Sequence, residues 1–174
     1  LGNSLPQREA DGATLWHGFI TDITESKQAE NQLNNLSQRL LLATSSAKLG
    51  VWDWNVLENT IIWDDRMFEL YGITREESPN TIEAWMNGLH PDDRETAIAE
   101  CQAALNGNKE FDTVFRVRHP DGTVKHIKAS GLVIRTAEGR AERMIGINTD
   151  TTARKAAEAE LEQHRHHLEE LVEQ

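Results

Sequence analysis

Residues 49–72, which decide the fold, have the sequence LGVWDWNVLENTIIWDDRMFELYG. Residues 51–56 predict a first strand, because they contain the strand-forming apolar residues Val51, Trp52, Trp54 and Val56. Residues 60–63 predict a second strand, with Glu58-Asn59 as the hairpin turn between the two. Residues 65–71 then have the composition of a short helix, which Gly72 ends.

The rest of this region continues the mixed pattern. The further predicted elements are a helix at 82–89, a longer helix opened by His90-Pro91-Asp92-Asp93, and strands at 110–118, 123–134 and 142–149. Two strands, a helical crossover and three strands predict an α+β fold. We expect one five-stranded antiparallel sheet with the helices on one side.

Two segments of the chain repeat each other. Residues 18–24, GFITDIT, resemble residues 146–152, GINTDTT, and the two lie 128 residues apart. Because the repeated unit has the size of a domain, the match indicates tandem copies of one domain and not a solenoid.

Each repeated segment is followed by a heptad pattern. In each of the two following helices, residues spaced by 4, 3, 4 and 3 positions form a seam along one face. The first seam consists of Ala29, Leu33, Leu36, Leu40 and Ala43, and the second consists of Ala157, Leu161, His164, Leu168 and Leu171. These are a and d positions of a coiled coil, in the same phase relative to each preceding strand. We expect the second seam to join two copies through Leu161, His164, Leu168 and Leu171. Packing of each helix on its own domain is the alternative.

Five stretches of the chain resemble the PAS family, in particular its members with a Trp-Asp-Trp first strand. They are residues 49–54, 63–72, 90–94, 115–122 and 146–152. Each stretch alone is weakly specific, but their order across residues 45–152 is specific. The resemblance implies a complete PAS domain at 45–152, the last hairpin of a preceding PAS domain at 1–24, a linker helix at 25–44 and a signalling helix at 153–174. Coiled-coil-like helices thus flank the domain on both sides.

The resemblance also implies a regulatory function. Such domains are dimeric modules that precede histidine kinase, diguanylate cyclase or similar output domains. We therefore expect a bacterial sensor that relays a signal through its C-terminal helix, with no enzymatic activity in this fragment. Asp150 and Thr152 lie where strand becomes helix, can cap that helix, and occupy the junction through which the family is thought to signal. A structural PAS spacer that serves dimerisation and binds no ligand is the alternative.

PAS domains often hold a ligand between the sheet and the long helix. The candidate lining residues here are Trp54, Phe68, Trp85, Ala97, Cys101 and Phe115. Aromatic walls with few polar groups favour a small apolar or aromatic ligand. A fully packed core is the alternative.

No known cofactor of the family is expected. Cys101 lies between Glu100 and Gln102, unlike the Gly-x-Asn-Cys-Arg-Phe-Leu-Gln segment of the flavin-binding branch. His90 belongs to a helix start, which does not suit a haem ligand. His164 and His167 can share a helix face, but no third ligand accompanies them, so we expect no metal.

Charge and composition limit the partners. The net charge is −11, from 29 acidic and 18 basic residues, which argues against a nucleic-acid partner. The single cysteine excludes an internal disulfide and fits a reducing compartment. No apolar run is long enough to span a membrane. We expect a cytoplasmic homodimer, formed through the helices and the sheet surface.

Overall fold

A computed structural model describes residues 2–172, apart from the side chains of residues 167 and 169–172. The chain forms two compact units, one ending at Ala43 and the other beginning at Thr44. The boundary lies within the helix Thr24–Ser46.

The first unit is a hairpin followed by a helix. Strand β1, Gly2–Arg8, pairs antiparallel with β2, Thr14–Ile20, and helix α1 spans Thr24–Ser46. The turn uses Gly12 at φ 88°, a left-handed conformation that glycine adopts without strain. Every described hairpin side chain is exposed, so this unit has no core of its own.

The second unit has the predicted order of elements. They are β3 (Gly50–Asn55), β4 (Thr60–Trp63), α2 (Asp65–Tyr71), α3 (Ile82–Gly88), α4 (Pro91–Leu105), β5 (Phe111–Arg118), β6 (Val124–Arg135), β7 (Ala141–Asp150) and α5 (Thr152–Val172). The predicted five-stranded antiparallel sheet is confirmed, with strand order β4-β3-β7-β6-β5.

The first and last strands of this sheet are neighbours. Because β3 and β7 pair antiparallel, Gly50 at the start of β3 lies opposite Asn148 near the end of β7. The chain therefore enters β3 and leaves β7 at the same end of these two paired strands. α5 starts directly beyond the end of β7, at Thr152.

Helix α2 is capped at both ends. Asp64 Oδ1 accepts from the Met67 amide at 2.8 Å, and its Oδ2 accepts from the Val51 amide at 3.0 Å. The carboxylate thus serves as N-cap and also ties the helix to β3. Gly72 ends the helix at φ 66°, as its sequence predicts.

Helix α4 begins at the predicted His-Pro-Asp-Asp segment. His90 is the N-cap, and its Nδ1 accepts from the Asp92 amide at 3.3 Å. Pro91 occupies the first turn, where its missing amide hydrogen costs nothing. Asp93 reaches across to Arg116 of β5, with carboxylate-to-guanidinium distances of 2.6 and 2.9 Å.

The core lies between the helices and one face of the sheet. Its largest members are aromatic, namely Trp52, Trp54, Trp63, Phe68, Tyr71, Trp85, Phe111 and Phe115. The alternate residues of the strands point to the other face, where Ile62 and Leu132 are each 69% exposed and Val114 is 55% exposed. Apolar side chains on this face, which also carries the Asp53–Arg143 and Asp112–Lys128 ion pairs, thus stay uncovered within one copy of the chain.

Candidate functional site

The core contains a small cavity of about 30 Å³. Its lining residues are Trp52, Trp54, Ile61, Trp63, Met67, Ile82, Trp85, Cys101, Phe111, Ala129, Met144 and Asn148. Ligand pockets for drug-sized molecules are roughly 300 Å³ or more. In this conformation the cavity therefore has room for a water-sized group only.

Only some of the predicted pocket residues border the cavity in the structure. Trp54, Trp85 and Cys101 lie on the cavity wall. Phe68, Ala97 and Phe115 are buried in the surrounding core and are not part of that wall. Ala97 and Cys101 both lie on the inner side of α4, as predicted, but only Cys101 reaches the cavity.

Hydrogen bonds link three buried side chains at the cavity wall. Trp52 Nε1 donates to Asn148 Oδ1 at 2.9 Å, and Asn148 Nδ2 donates to the Tyr71 hydroxyl at 3.3 Å. Burial raises the pKa of Tyr71 far above its usual value, and the hydrogen bond from Asn148 opposes this only partly. Asn148 therefore holds a neutral phenol and an indole in place.

Sequence reasoning missed Asn148. The signal was present, because Met144 and Gly146 precede it at spacings of two on β7 and both are buried. An asparagine in the inward-facing series of a strand needs buried partners. The partners themselves, Trp52 and Tyr71, come from distant parts of the chain.

The strand-to-helix junction forms the second part of the site. Asp150 Oδ1 accepts from the Thr152 amide at 2.9 Å, which caps α5. The Thr152 hydroxyl oxygen accepts from the His126 amide at 2.9 Å, and the Thr151 hydroxyl donates to the His126 carbonyl at 3.1 Å. The start of α5 is thus attached to β6 as well as to β7.

Asp150 is ionised at this junction. Burial acts to raise its pKa, but hydrogen bonds from Thr152 and the nearby Lys125 ammonium outweigh that effect, and the pKa is lowered. Lys125 Nζ lies 3.4 Å from Asp150 Oδ2. The negative charge also suits the positive end of the helix dipole.

The same cap occurs in the first unit. Asp22 Oδ1 accepts from the Thr24 amide at 2.8 Å at the start of α1. The Lys27 amide donates to Ile23, as the Lys155 amide donates to Thr151, both at 2.9 Å. The two repeated segments therefore end in the same local structure.

The two hairpins also share their register. Gly18 pairs with Ser4 in the first unit, and Gly146 pairs with Gly131 in the second. Six consecutive pairs of β1 and β2, from Gly2↔Ile20 to Gln7↔Leu15, correspond in this way to Ala129↔Asn148 through Ile134↔Arg143. The agreement ends at the irregularity between Ile134 and Arg135.

The seam residues lie on exposed helix surface. Leu161 is 72% exposed, Leu168 is 62% exposed, and His164 is also exposed. The side chain of Leu171 lies outside the described residues. In α1, Leu33, Leu36 and Leu40 are exposed by 56–68%.

Cys101 supplies the one thiol of the cavity wall. Burial raises the pKa of the Cys101 thiol to about 11, so the nucleophilic thiolate is scarce at neutral pH. Among the described side chains, no three His, Cys, Asp or Glu residues converge in the manner of a metal site. Within residues 2–172, no helix has the length and apolar content needed to cross a membrane.

Comparison with known proteins identifies the family. A family model described as the PAS fold matches residues 60–148, about half of the chain. This chain belongs to the PAS family. The aromatic cavity and the junction to α5 are therefore features of a PAS domain, and the predicted family is confirmed.

Relatives of the PAS domain are signalling proteins. The Escherichia coli protein named "Probable diguanylate cyclase DgcE" is 35% identical over 92% of this chain and 14% of its own length. The sensor protein FixL of Bradyrhizobium diazoefficiens is 27% identical over 71% of this chain and 24% of its own length. The chain thus spans less than a quarter of either relative.

A solved structure agrees with the same assignment. A sensory box histidine kinase/response regulator from Burkholderia thailandensis superposes with a TM-score of 0.64 and 31% sequence identity. The match covers 76% of this chain and 98% of that chain. The PAS domain therefore has relatives in proteins of both expected output classes, and a role in signalling is supported.

Proposed function

We propose that this chain is a regulatory sensor module that relays the state of its cavity through β7 and α5 to an output domain. The supporting observation is the spacing on one strand. Asn148 lies on the cavity wall. Two residues later Asp150 caps α5, and four residues later the Thr152 hydroxyl ties the start of that helix to β6. The output domain is of the histidine kinase or diguanylate cyclase type, by analogy with the relatives.

The relay follows from tight packing. A ligand larger than the cavity must displace residues of its wall, and Trp52 and Asn148 both belong to that wall. Displacement of either residue stretches the hydrogen bond between them and shifts β7 near its end. Packed elements move between discrete arrangements and do not deform continuously, so the shift reaches the cap of α5. The expected ligand is small and apolar or aromatic.

The module is a homodimer in this proposal. Two exposed apolar surfaces support it, the seam of α5 and the sheet face bearing Ile62, Val114 and Leu132. Pairing of two copies removes both from water. A displacement of the paired helices then acts on both output domains together.

The first hairpin is the closing hairpin of a preceding PAS domain in this proposal, with residues 25–44 as linker, residues 45–152 as the complete domain and residues 153–174 as signalling helix. The shared register and the repeated Asp-Thr cap support the assignment. The module itself carries out no chemistry. Its paired acids serve as caps and ion pairs, as Asp64 and Asp93 do.

A structural spacer is the second candidate. The size of the cavity favours it, because about 30 Å³ admits no ordinary ligand without rearrangement of the core. In this alternative the domain serves dimerisation and transmits displacement from α1 to α5.

A direct experiment distinguishes the two candidates. The full chain is purified, its absorption spectrum is recorded, and an extract is examined by mass spectrometry for a stoichiometric small molecule. Hydrogen exchange at the first turn of α5 is then compared between the loaded and the stripped protein. The sensor proposal predicts a ligand and a changed exchange rate at residues 152–155.

A matched pair of variants provides the control. Asn148→Ala removes the cavity side chain and should abolish the response of α5. Thr149→Ala, on the neighbouring position that points away from the cavity, should preserve it. No bound molecule, or exchange at α5 that is the same in both states, would support the spacer and contradict the sensor.

A further inference from the structure

The two helix seams differ at a position that the repeat aligns. Leu36 of α1 corresponds to His164 of α5, since each lies 18 residues after the glycine of its repeated segment. Leu36 is 56% exposed, and His164 is also exposed. The seam of α5 therefore carries an ionisable group where the seam of α1 carries an aliphatic one.

Charge complementarity indicates what covers the α5 seam. With His164 at a d position, Glu160 occupies the preceding g position and Arg165 the following e position. In a parallel two-stranded coiled coil these positions meet across the interface. Arg165 pairs with Glu162 on its own helix in one copy, and a second copy offers Glu160 as a further partner.

We propose that α5 pairs in parallel with α5 of a second copy through Leu161, His164 and Leu168, and that proton uptake at His164 loosens this contact. The proposal rests on the dimeric form of the proposed function. It adds a regulated element, because the seam of α1 has no ionisable side chain at its a and d positions.

The physical reason is the symmetry of the contact. In a parallel pair the imidazole of each His164 faces its counterpart in the second copy. Two neutral rings are tolerated in such a seam as a polar pair. Two imidazolium ions placed together in a partly dry interface repel each other and lose hydration.

The surrounding charges do not cancel this effect. On α5, Glu160 lies one turn before His164 and favours its protonation, while Arg165 opposes it. The sequence places His167 one turn later, where a further positive charge would add to the repulsion. The same groups of the second copy face the seam from the other side. Glu160 is exposed, so water screens its attraction.

The direction of the pH dependence follows from linkage. A free histidine has a pKa of about 6.5. Pairing disfavours the charged form of the imidazole, so proton uptake and association oppose each other. The contact is therefore complete at about pH 8 and weakens as the pH falls below about 6.5.

The dimer dissociation constant of the full chain, measured by sedimentation, tests the proposal. Between about pH 8 and about pH 5.5 we expect it to rise on the order of tenfold. His164→Leu copies Leu36 and should remove this dependence. His166→Leu, at the outward f position, should retain it, and Leu36→His should add a second pH-dependent step.

The outcomes separate this inference from the function on which it rests. A dimer whose dissociation constant is the same at both pH values overturns the inference and leaves the dimeric sensor intact. A His164→Leu variant that keeps the full pH dependence also overturns the inference and leaves the dimeric sensor intact. Absence of a dimer at both pH values overturns the inference and the dimeric form of the proposed function together.

Discussion

Asp93 shows how a single side chain joins two elements of the PAS domain. Its carboxylate accepts from the backbone amide of Arg116 at 2.8 Å and from the guanidinium of the same residue at 2.6 and 2.9 Å. These hydrogen bonds, opposed in part by burial, lower the pKa of Asp93 to about 2. The start of α4 is thereby attached to β5.

This carboxylate predicts a pH dependence of stability. A pKa lowered in the folded state stabilises the protein above the unfolded value of about 3.9, and the contribution is lost as the pH falls toward 2. Asp93→Asn should lower the free energy of unfolding by about 1 kcal/mol at neutral pH, after allowance for solvent screening. It should also flatten the decline between about pH 4 and 2. Urea unfolding across this range measures both effects.

Asp92 offers the matched control for Asp93. Its side chain is 71% exposed and lies 3.3 Å from the same guanidinium. Asp92→Asn should change stability little, because exposed ion pairs contribute roughly 0–1 kcal/mol. Equal acid sensitivity of the two variants would contradict the assignment to Asp93.

At the scale of elements, α1 and α5 are long helices whose apolar seams stay exposed. α1 has 23 residues and none of them is buried. Most helical stability in proteins comes from packing of an apolar face. Neither seam is covered within one copy, and the heptad spacing agrees with the proposed pairing of two copies.

The seam predicts the outcome of a paired substitution. Leu161→Glu combined with Leu168→Glu places charge at two a positions and should raise the dimer dissociation constant at least tenfold, because apolar contact is lost and like charges meet. Sedimentation of the full chain measures it. Ala159→Glu with His166→Glu has the same spacing at outward f positions and should leave association unchanged. Similar behaviour of the two double variants would count against the seam.

At the scale of the whole molecule, the core packs closely against the sheet at Gly146. A Cβ atom there would lie 2.2 Å from Trp52 Cζ2 and 2.4 Å from the carbonyl oxygen of Ser130. Trp52 comes from the neighbouring strand, directly opposite Gly146. The indole can reach Asn148 only because residue 146 has no side chain.

Gly146→Ala should therefore destabilise the PAS domain by about 3 kcal/mol, since overpacking moves the indole or the backbone. Denaturant unfolding followed by tryptophan fluorescence measures the loss. Gly2→Ala is a suitable control, because a Cβ at Gly2 meets its nearest neighbour at 3.5 Å. An equal effect of the two substitutions would show that the close approach at Gly146 is unimportant.

Local chemistry made most elements predictable. Gly72 and Pro91 mark the end of α2 and the start of α4 through their backbone properties, and the structure uses both in that way. The alternation of apolar and polar residues over β5 likewise matches the burial of Phe111, Phe115 and Val117. These features depend on neighbours within a few residues, so they can be predicted from a single sequence.

The cavity was predicted less well, for a physical reason. Phe68 and Trp54 have similar apolar character, yet only Trp54 reaches the wall. Which aromatic ring fills space and which borders it depends on the packing of elements far apart in the chain. The hydrophobic pattern identifies which residues are buried, but only their packing determines which of them border the cavity.

The sequence by itself determined the family, the order of the elements and the cap of each repeated helix, because these depend on short-range propensities and on self-similarity. Tertiary structure alone decided that β3 lies beside β7, that Asn148 joins Trp52 to Tyr71, and that the cavity is as small as about 30 Å³. These features arise where residues up to 98 positions apart meet, as Gly50 and Asn148 do. The free energy of such contacts depends on pairs of side chains that are distant in the sequence, so no local sequence pattern predicts it.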